Sequence, residues 1–330
     1  MIGPHIIRPT PEALRWAGVA PVVKALDDPS PLTVARPDAI RVFRRFFPVQ
    51  DLRADPAGIA QVILAALKGY RHPNLFVEVY NEIPRQLTAS YADLLAQVVP
   101  LLHAAGVRVC GPSWATGDYD EEHWAHMRAR GWCGLDAIAV HCYWADHGLT
   151  PWNALRYRQF WQPGDPPILI TECGRDRVRD APGGGWSGNG GWARDGIPAD
   201  QYIAELAAYA SQIDQDEMVL GATVFTAGPT PDWVAFDTDA ITDLLLARLP
   251  VQPARSLPKK EDPMAQKKKE EPMAQEYVVG PGIAQKMREY GDRPVSPERY
   301  IGDWMSIAFG EKAIYVYNKD SNRTYVIPAR

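Results

Sequence analysis

Cysteine is scarce in this chain: four residues in 330, at positions 110, 133, 142 and 173. They are too few for a disulfide scaffold, and none forms a C-x-x-C ligand pair. Long apolar runs are missing as well. No stretch of about 18 apolar residues is present to span a bilayer. The opening segment MIGPHIIRPTPEALRW lacks the basic start, apolar centre and small-residue cleavage site of an export signal, so no such signal is expected. Nor is there an excess of positive charge. The 35 Lys and Arg are outnumbered by 40 Asp and Glu, a net charge of −5, which leaves no basic field to gather nucleic acid or an anionic membrane surface. No G-x-G-x-x-G or G-x-x-x-x-G-K-[ST] follows a strand-like run, and no H-x-H or H-E-x-x-H occurs, so neither a cofactor nor a metal is expected.

What the chain does contain is a regular alternation up to about residue 250. Eight short β-rich runs begin at Pro4, Val22, Ala39, Leu75, Val107, Ala137, Pro167 and Leu220, separated by amphipathic or turn-rich segments. Three stripes read as helices: one after an N-cap at Asp55, one joining Ile203, Leu206, Ala210 and Ile213, and one joining Ile241, Leu244, Leu245 and Leu249. The segment DDPSPLTVARPD is too rich in proline for a regular helix. Eight βα units in about 250 residues predict an α/β fold, a (β/α)8 TIM barrel spanning residues 1–250. Residues 251–276 are charged and proline-rich, with the near-repeat EDPMAQ, EEPMAQ, and read as an exposed linker. Residues 277–330 predict a small α+β module, with a helix over 283–290 and a hairpin pairing AIYVY with TYVIP.

The chemistry of such a barrel sits at the C-terminal ends of its strands. There the fourth run ends in Asn81-Glu82, the sixth in HCYW (His141 to Trp144), and the seventh in Glu172 after Thr171. Two carboxylates facing one another across the mouth are what glycoside hydrolysis needs, one as acid and the other as nucleophile or base. FVEVYNEI and ILITECG resemble the strand-four and strand-seven signatures of the clan A glycoside hydrolases; VRVCGPSW and AIAVHCYW resemble that clan's fifth and sixth strands. Tyr80, Ile83 and FTAG at Phe225 stand where the clan commonly has Trp, Pro and a stacking Trp, and the family within the clan stays open. The resemblance implies a retaining β-glycosidase on a carbohydrate substrate, with Glu82 as acid/base and Glu172 as nucleophile. It also implies that Asn81 holds the sugar 2-hydroxyl and that His141 and Tyr143 position nucleophile or substrate.

Further candidates come from position alone. Glu78 points to the same side as Glu82 and is expected to pair with a buried arginine; Arg41 and Arg44 can supply that partner or touch substrate, and His5 ends the first run. Trp114, Trp144, Trp152, Trp186, Trp192 and Trp233 all follow strands five to eight, where flat aromatic faces can carry sugar rings. GGGWSGNGGW, carrying Trp186 and Trp192, reads as a loop over the site. Cys142 and Cys173 fall close enough in this fold for one disulfide to stay open. The C-terminal module reads as a packing domain, or as a binder of polysaccharide, cell envelope or another protein. Two other functions fit parts of the pattern: a lysin-type peptidoglycan hydrolase, and a carbohydrate-binding barrel without catalysis.

Overall fold

In the computed structural model, the described residues are 1–176, 190–249 and 253–257, with 281–289, 299–301, 305–309, 313–318 and 323–328 toward the C-terminus. Trp186 and most of the expected linker lie outside them. The chain divides into two compact units, Met1–Leu257 and Pro258–Arg330.

The first unit is a closed barrel of eight parallel strands in sequence order: β1 (Ile2–Ile6), β2 (Val22–Leu26), β3 (Ile40–Arg44), β4 (Leu75–Glu78), β5 (Arg108–Trp114), β6 (Ala137–Trp144), β7 (Ile168–Arg175) and β8 (Val219–Ala227). β8 pairs with β1 and completes the ring. Each strand overlaps one of the eight runs read from sequence, so the α/β barrel class holds. Outside the strands lie α1 (Pro11–Ala17), α2 (Ser30–Val34), α3 (Pro56–Ala66), α4 (Thr88–Ala104), α5 (Glu121–Ala129), α6 (Ala199–Asp214) and α7 (Thr242–Arg248). Local chemistry sets their starts. The Asp55 carboxylate accepts from the backbone N–H groups of Ala57 and Gly58, with Pro56 at the first helical position, where its missing N–H costs nothing. Ile203, Leu206, Ala210 and Ile213 form the buried face of α6. The proline-rich segment does form one helical turn, α2, because Pro31 sits in the first turn, where proline is tolerated.

Two layers of core follow from strand alternation. Val22, Ile40, Val42, Phe76, Cys110, Ala137, Ala139, Leu169 and Leu220 fill the barrel, while Val23, Phe43, Val77, Val109, Ile138, Val140 and Ile170 pack toward the helices. Among the irregularities of the ladders, one-residue bulges in β5 and β7 interrupt that alternation beside the site. In β5, Pro112 pairs with Ala139 but Trp114 pairs with Val140, leaving Ser113 extra. In β7, Ile170 pairs with Val140 but Glu172 pairs with His141, leaving Thr171 extra. A bulge reverses the faces of everything beyond it. Trp114, which alternation from Cys110 would point inward, joins the helix-facing layer. Glu172, which alternation from Leu169 would point outward, turns into the barrel instead.

In the second unit, a helix (Pro281–Glu289) accompanies a four-stranded antiparallel sheet of β9 (Arg299–Ile301), β10 (Met305–Phe309), β11 (Ala313–Asn318) and β12 (Arg323–Pro328). Ile283 and Met287 of the helix bury Tyr315 of β11. β11 pairs with β12, with Tyr315 opposite Val326, which is the hairpin expected from the sequence. Among the described residues no helix is long and apolar enough to cross a membrane.

Candidate active site

At the C-terminal mouth of the barrel, Glu172 is nearly buried and surrounded by cations and donors. Lys24 of β2 donates to its Oε1 at 3.2 Å, and the Tyr143 hydroxyl donates to Oε2 at 2.9 Å. Around the same carboxylate lie an Arg44 guanidinium nitrogen at 3.7 Å from Oε1, His5 Nδ1 at 3.6 Å from Oε1, and His141 Nδ1 at 3.5 Å from Oε2. Burial pushes the Glu172 carboxyl up, but His141, then Lys24 and Arg44, hold it well below the usual carboxylate range. Glu172 is therefore ionised at neutral pH. Burial, reinforced by Glu172 and Glu82, pushes the Tyr143 hydroxyl well above its ordinary value, so it remains a donor. Burial, then Lys24, lowers His5 well below the usual imidazole range, keeping it neutral.

Glu82 is set differently. The β4 ladder stops at Glu78, four residues earlier than the sequence suggested, because the backbone beyond it finds other partners. Tyr80 N–H donates to the Tyr91 hydroxyl, the Gln50 side chain brackets the Asn81 backbone, and Glu82 N–H donates to the Ser113 carbonyl. Glu82 itself has φ of +50°, a left-handed conformation that costs a non-glycine residue energy and persists only where the surroundings impose it. Held this way, Glu82 places Oε1 at 2.8 Å from His141 Nδ1. One ligand atom each from Glu82, His141 and Glu172 lies within 4.8 Å of the others. Among the described residues that trio is the one group able to hold a metal ion, but Lys24 and Arg44 already crowd Glu172 with positive charge, which opposes a divalent cation there.

Two adjoining clefts meet at this point. One, of about 530 Å³, is lined by Arg44, Phe46, Phe47, Asn81, Glu172, Phe225, Trp233 and Phe236 among others. The other, of about 680 Å³, is lined by Arg85, Thr116, Asp118, Trp144, Trp152 and Asn153 among others. Glu82, Tyr143 and Asp176 line both. In the first cleft Asn81 Oδ1 is buried without a hydrogen-bond partner, a costly state that a bound hydroxyl would relieve.

The expected site residues therefore divide. Glu82, Glu172, Asn81, His141, Tyr143 and Trp233 come together. Trp144 lines the second cleft, though its ring is buried against Tyr209 and its indole N–H donates to Glu205. Trp152 is exposed there. Trp192 stacks on Tyr202 and is buried. Trp114 is not at the site: the β5 bulge turns it into an aromatic cluster with Tyr119, Trp124 and Trp132. Arg41 is not there either. Between inward Ile40 and Val42 it faces outward, and its guanidinium donates to carbonyls of Leu32, Ala35, Arg36 and Ala39. Arg44, of opposite parity, enters the cleft. Glu78 pairs with a lysine rather than an arginine, Lys24, at 2.6 Å. Lys24 was missed, and its signal was a lone cation in the apolar run VVKAL, two residues from inward Val22. Cys142 stands opposite Cys173 in the ladder, both as buried free thiols.

No family model matches the chain, and no curated protein matches it. Solved structures that resemble it include a GH39 enzyme from Xanthomonas axonopodis pv. citri, at 14% identity over 77% of this chain and 67% of that one, with a TM-score of 0.46. A GH128 subgroup VI exo-β-1,3-glucanase from Aureobasidium namibiae is similar at 13% identity over 78% and 99%, TM-score 0.46. A GH128 subgroup I endo-β-1,3-glucanase from Amycolatopsis mediterranei is similar at 15% identity over 68% and 88%, TM-score 0.43.

Proposed function

We propose that the barrel is a retaining β-glycoside hydrolase acting within a polysaccharide, with residues 1–250 as its catalytic domain. The observation that carries this reading is a pair of carboxylates in two settings: Glu172 buried and held by Lys24 and Tyr143, and Glu82 at the cleft edge, with one oxygen of each within 4.8 Å of the other. In a retaining enzyme one such carboxylate attacks the anomeric carbon directly and the other supplies the proton. In this mechanism a Glu172 oxygen bonds to the anomeric carbon as the glycosidic C–O bond breaks, and the leaving oxygen takes a proton from Glu82. Water then attacks the same carbon, gives its proton back to Glu82, and the Glu172 carboxylate leaves. Asn81 Oδ1 accepts from a sugar hydroxyl, and Tyr143 keeps the Glu172 lone pairs oriented. The two clefts that share Glu82, Tyr143 and Asp176 give a chain room to extend past Glu82, which supports internal cleavage.

The test is reducing-end release on β-glucans, xylan, mannan, chitin and peptidoglycan by wild type and Glu172→Gln. Turnover of one polymer by wild type alone is expected. Equal silence of both proteins, with one polymer still bound, would replace hydrolysis with a binding function; release from peptidoglycan alone would make the chain a lysin.

A further inference from the structure

Beneath the carboxylate pair lies a second, fully buried set of charges that the reaction as written does not use. Lys24 Nζ stands 2.6 Å from Glu78 Oε2 and 3.2 Å from Glu172 Oε1, and Ser113, the extra residue of the β5 bulge, donates to Glu78 Oε1 at 2.8 Å. Neither Lys24 nor Glu78 is accessible to solvent. Resting on the proposed hydrolase reading, we propose that Lys24 is the positioning residue that keeps Glu172 an anion, and that Glu78 is its permanent counter-ion through the catalytic cycle.

Charge counting gives the reason for two carboxylates on one lysine. In the resting state Lys24 faces two anions. When the Glu172 oxygen bonds to the anomeric carbon, that carboxylate becomes a neutral ester, and a buried lysine with no other partner would be left uncompensated at a cost of several kcal/mol. Glu78 removes that cost, because the Lys24–Glu78 pair is neutral by itself. The distances agree with this division: the shorter contact goes to the residue whose charge never changes, and the longer one to the residue whose charge is consumed. Ser113 fixes the other oxygen of Glu78, so Glu78 does not swing toward the site.

Other groups also face Glu172: His5 from β1, Arg44 from β3, Glu82 beyond β4, and His141 and Tyr143 from β6. His141, at 3.5 Å from Oε2, and Arg44 are the rivals for the same task; Arg44 is the one with a permanent charge. It stands 3.7 Å from Oε1, and its Nε and Nη1 are buried without partners. Lys24 is nearer and is held from both ends, which favours it.

The test uses the full chain with Lys24→Met/Glu78→Gln, which removes the buried pair together and avoids stranding either charge, and Glu78→Gln, which keeps the shape and the Ser113 contact. Carbon-detected NMR of the glutamate carboxyls, with Glu172→Gln to identify the signal, reads Glu172 without requiring turnover. The double variant is expected to fold and to show Glu172 titrating about 1–3 pH units higher than in wild type. Glu78→Gln is expected to leave Glu172 ionised but to lower kcat at least tenfold on whichever polymer wild type cleaves, with KM little changed. Lys24→Arg should keep Glu172 ionised. An unshifted Glu172 in the folded double variant would overturn the proposal and hand the role to His141 and Arg44. A shifted Glu172 in a protein whose wild type cleaves no polymer would leave the Lys24 control standing and defeat the hydrolase reading instead.

Discussion

Glu172 and Glu82 are the same side chain in two settings. The Glu172 side chain is 7% exposed, part of a strand, and held by Lys24 and Tyr143; that of Glu82 is 42% exposed, on a loop, and touches His141. A nucleophile must be charged, aimed and dry, and the barrel interior supplies all three. An acid/base must exchange protons with leaving groups and water, and a loop at the cleft edge allows that. On the proposed reading, the difference teaches that one fold separates two roles by depth, using a bulge to turn one carboxylate inward and a left-handed residue to bring the other over it.

The hardest way to break the comparison is to exchange two neighbours, Glu172→Cys with Cys173→Glu. The carboxylate would move to the buried, helix-facing position of Cys173, where left unpaired it costs several kcal/mol. Loss of both activity and folded yield is expected, measured by thermal unfolding and reducing-end release. A stable, active exchange variant would show that the inward direction of Glu172 is not required.

Glu82→Ala tests the open side. Without the acid/base, turnover should fall about 10²–10⁴-fold, and azide, small enough for the space at the cleft edge, should restore part of it. The glycosyl azide formed should keep the substrate's anomeric configuration. Azide without effect on the slowed variant would argue that Glu82 is not the proton donor.

A smaller effect concerns acid. In the folded protein Glu172 and Glu78 both titrate below the ordinary carboxylate range: burial opposes this in each, and the charges around Glu172, with Lys24, Arg44 and His141 around Glu78, outweigh it. His5 titrates well below the ordinary imidazole range, chiefly through burial. In all three cases the unfolded chain takes up protons that the folded chain refuses. The stability they contribute is full above about pH 6.5. It falls first as His5 protonates only in the unfolded chain, then again below about pH 4.3 as the two glutamates do. His5→Gln should flatten the upper part of that decline in melting temperatures taken from pH 7 to 4; an unchanged slope would remove His5 from the account.

The smallest effect separates the two bulges. Trp114→Phe should cost about 1 kcal/mol of stability, through its contact with Thr88 and its aromatic neighbours, and leave KM alone. A raised KM would return Trp114 to the substrate face.

The eight strands were legible because their runs were apolar and well spaced, and the meeting of Glu82 and Glu172 at the barrel mouth because both follow strand runs directly. Their facing was legible only where alternation is unbroken: in β3 parity separates outward Arg41 from inward Arg44. Where one residue is added, as at Ser113 and Thr171, the sequence carries no mark of it, so Trp114 was placed on the wrong face. Lys24 escaped because a lone buried lysine acquires meaning only beside Glu78 and Glu172, which lie two and five strands away. Gln50, which fixes Asn81, sits in a loop with no periodic pattern to expose it.

The central claim is direct displacement between two close carboxylates, and the first-formed anomer tests it most directly. Proton NMR of wild-type digestion of the responsive β-linked polymer, recorded before mutarotation, should show the β-anomer of the new reducing end appearing first. Initial accumulation of the α-anomer would mean inversion, a water between Glu82 and Glu172, and a wider site than the one described.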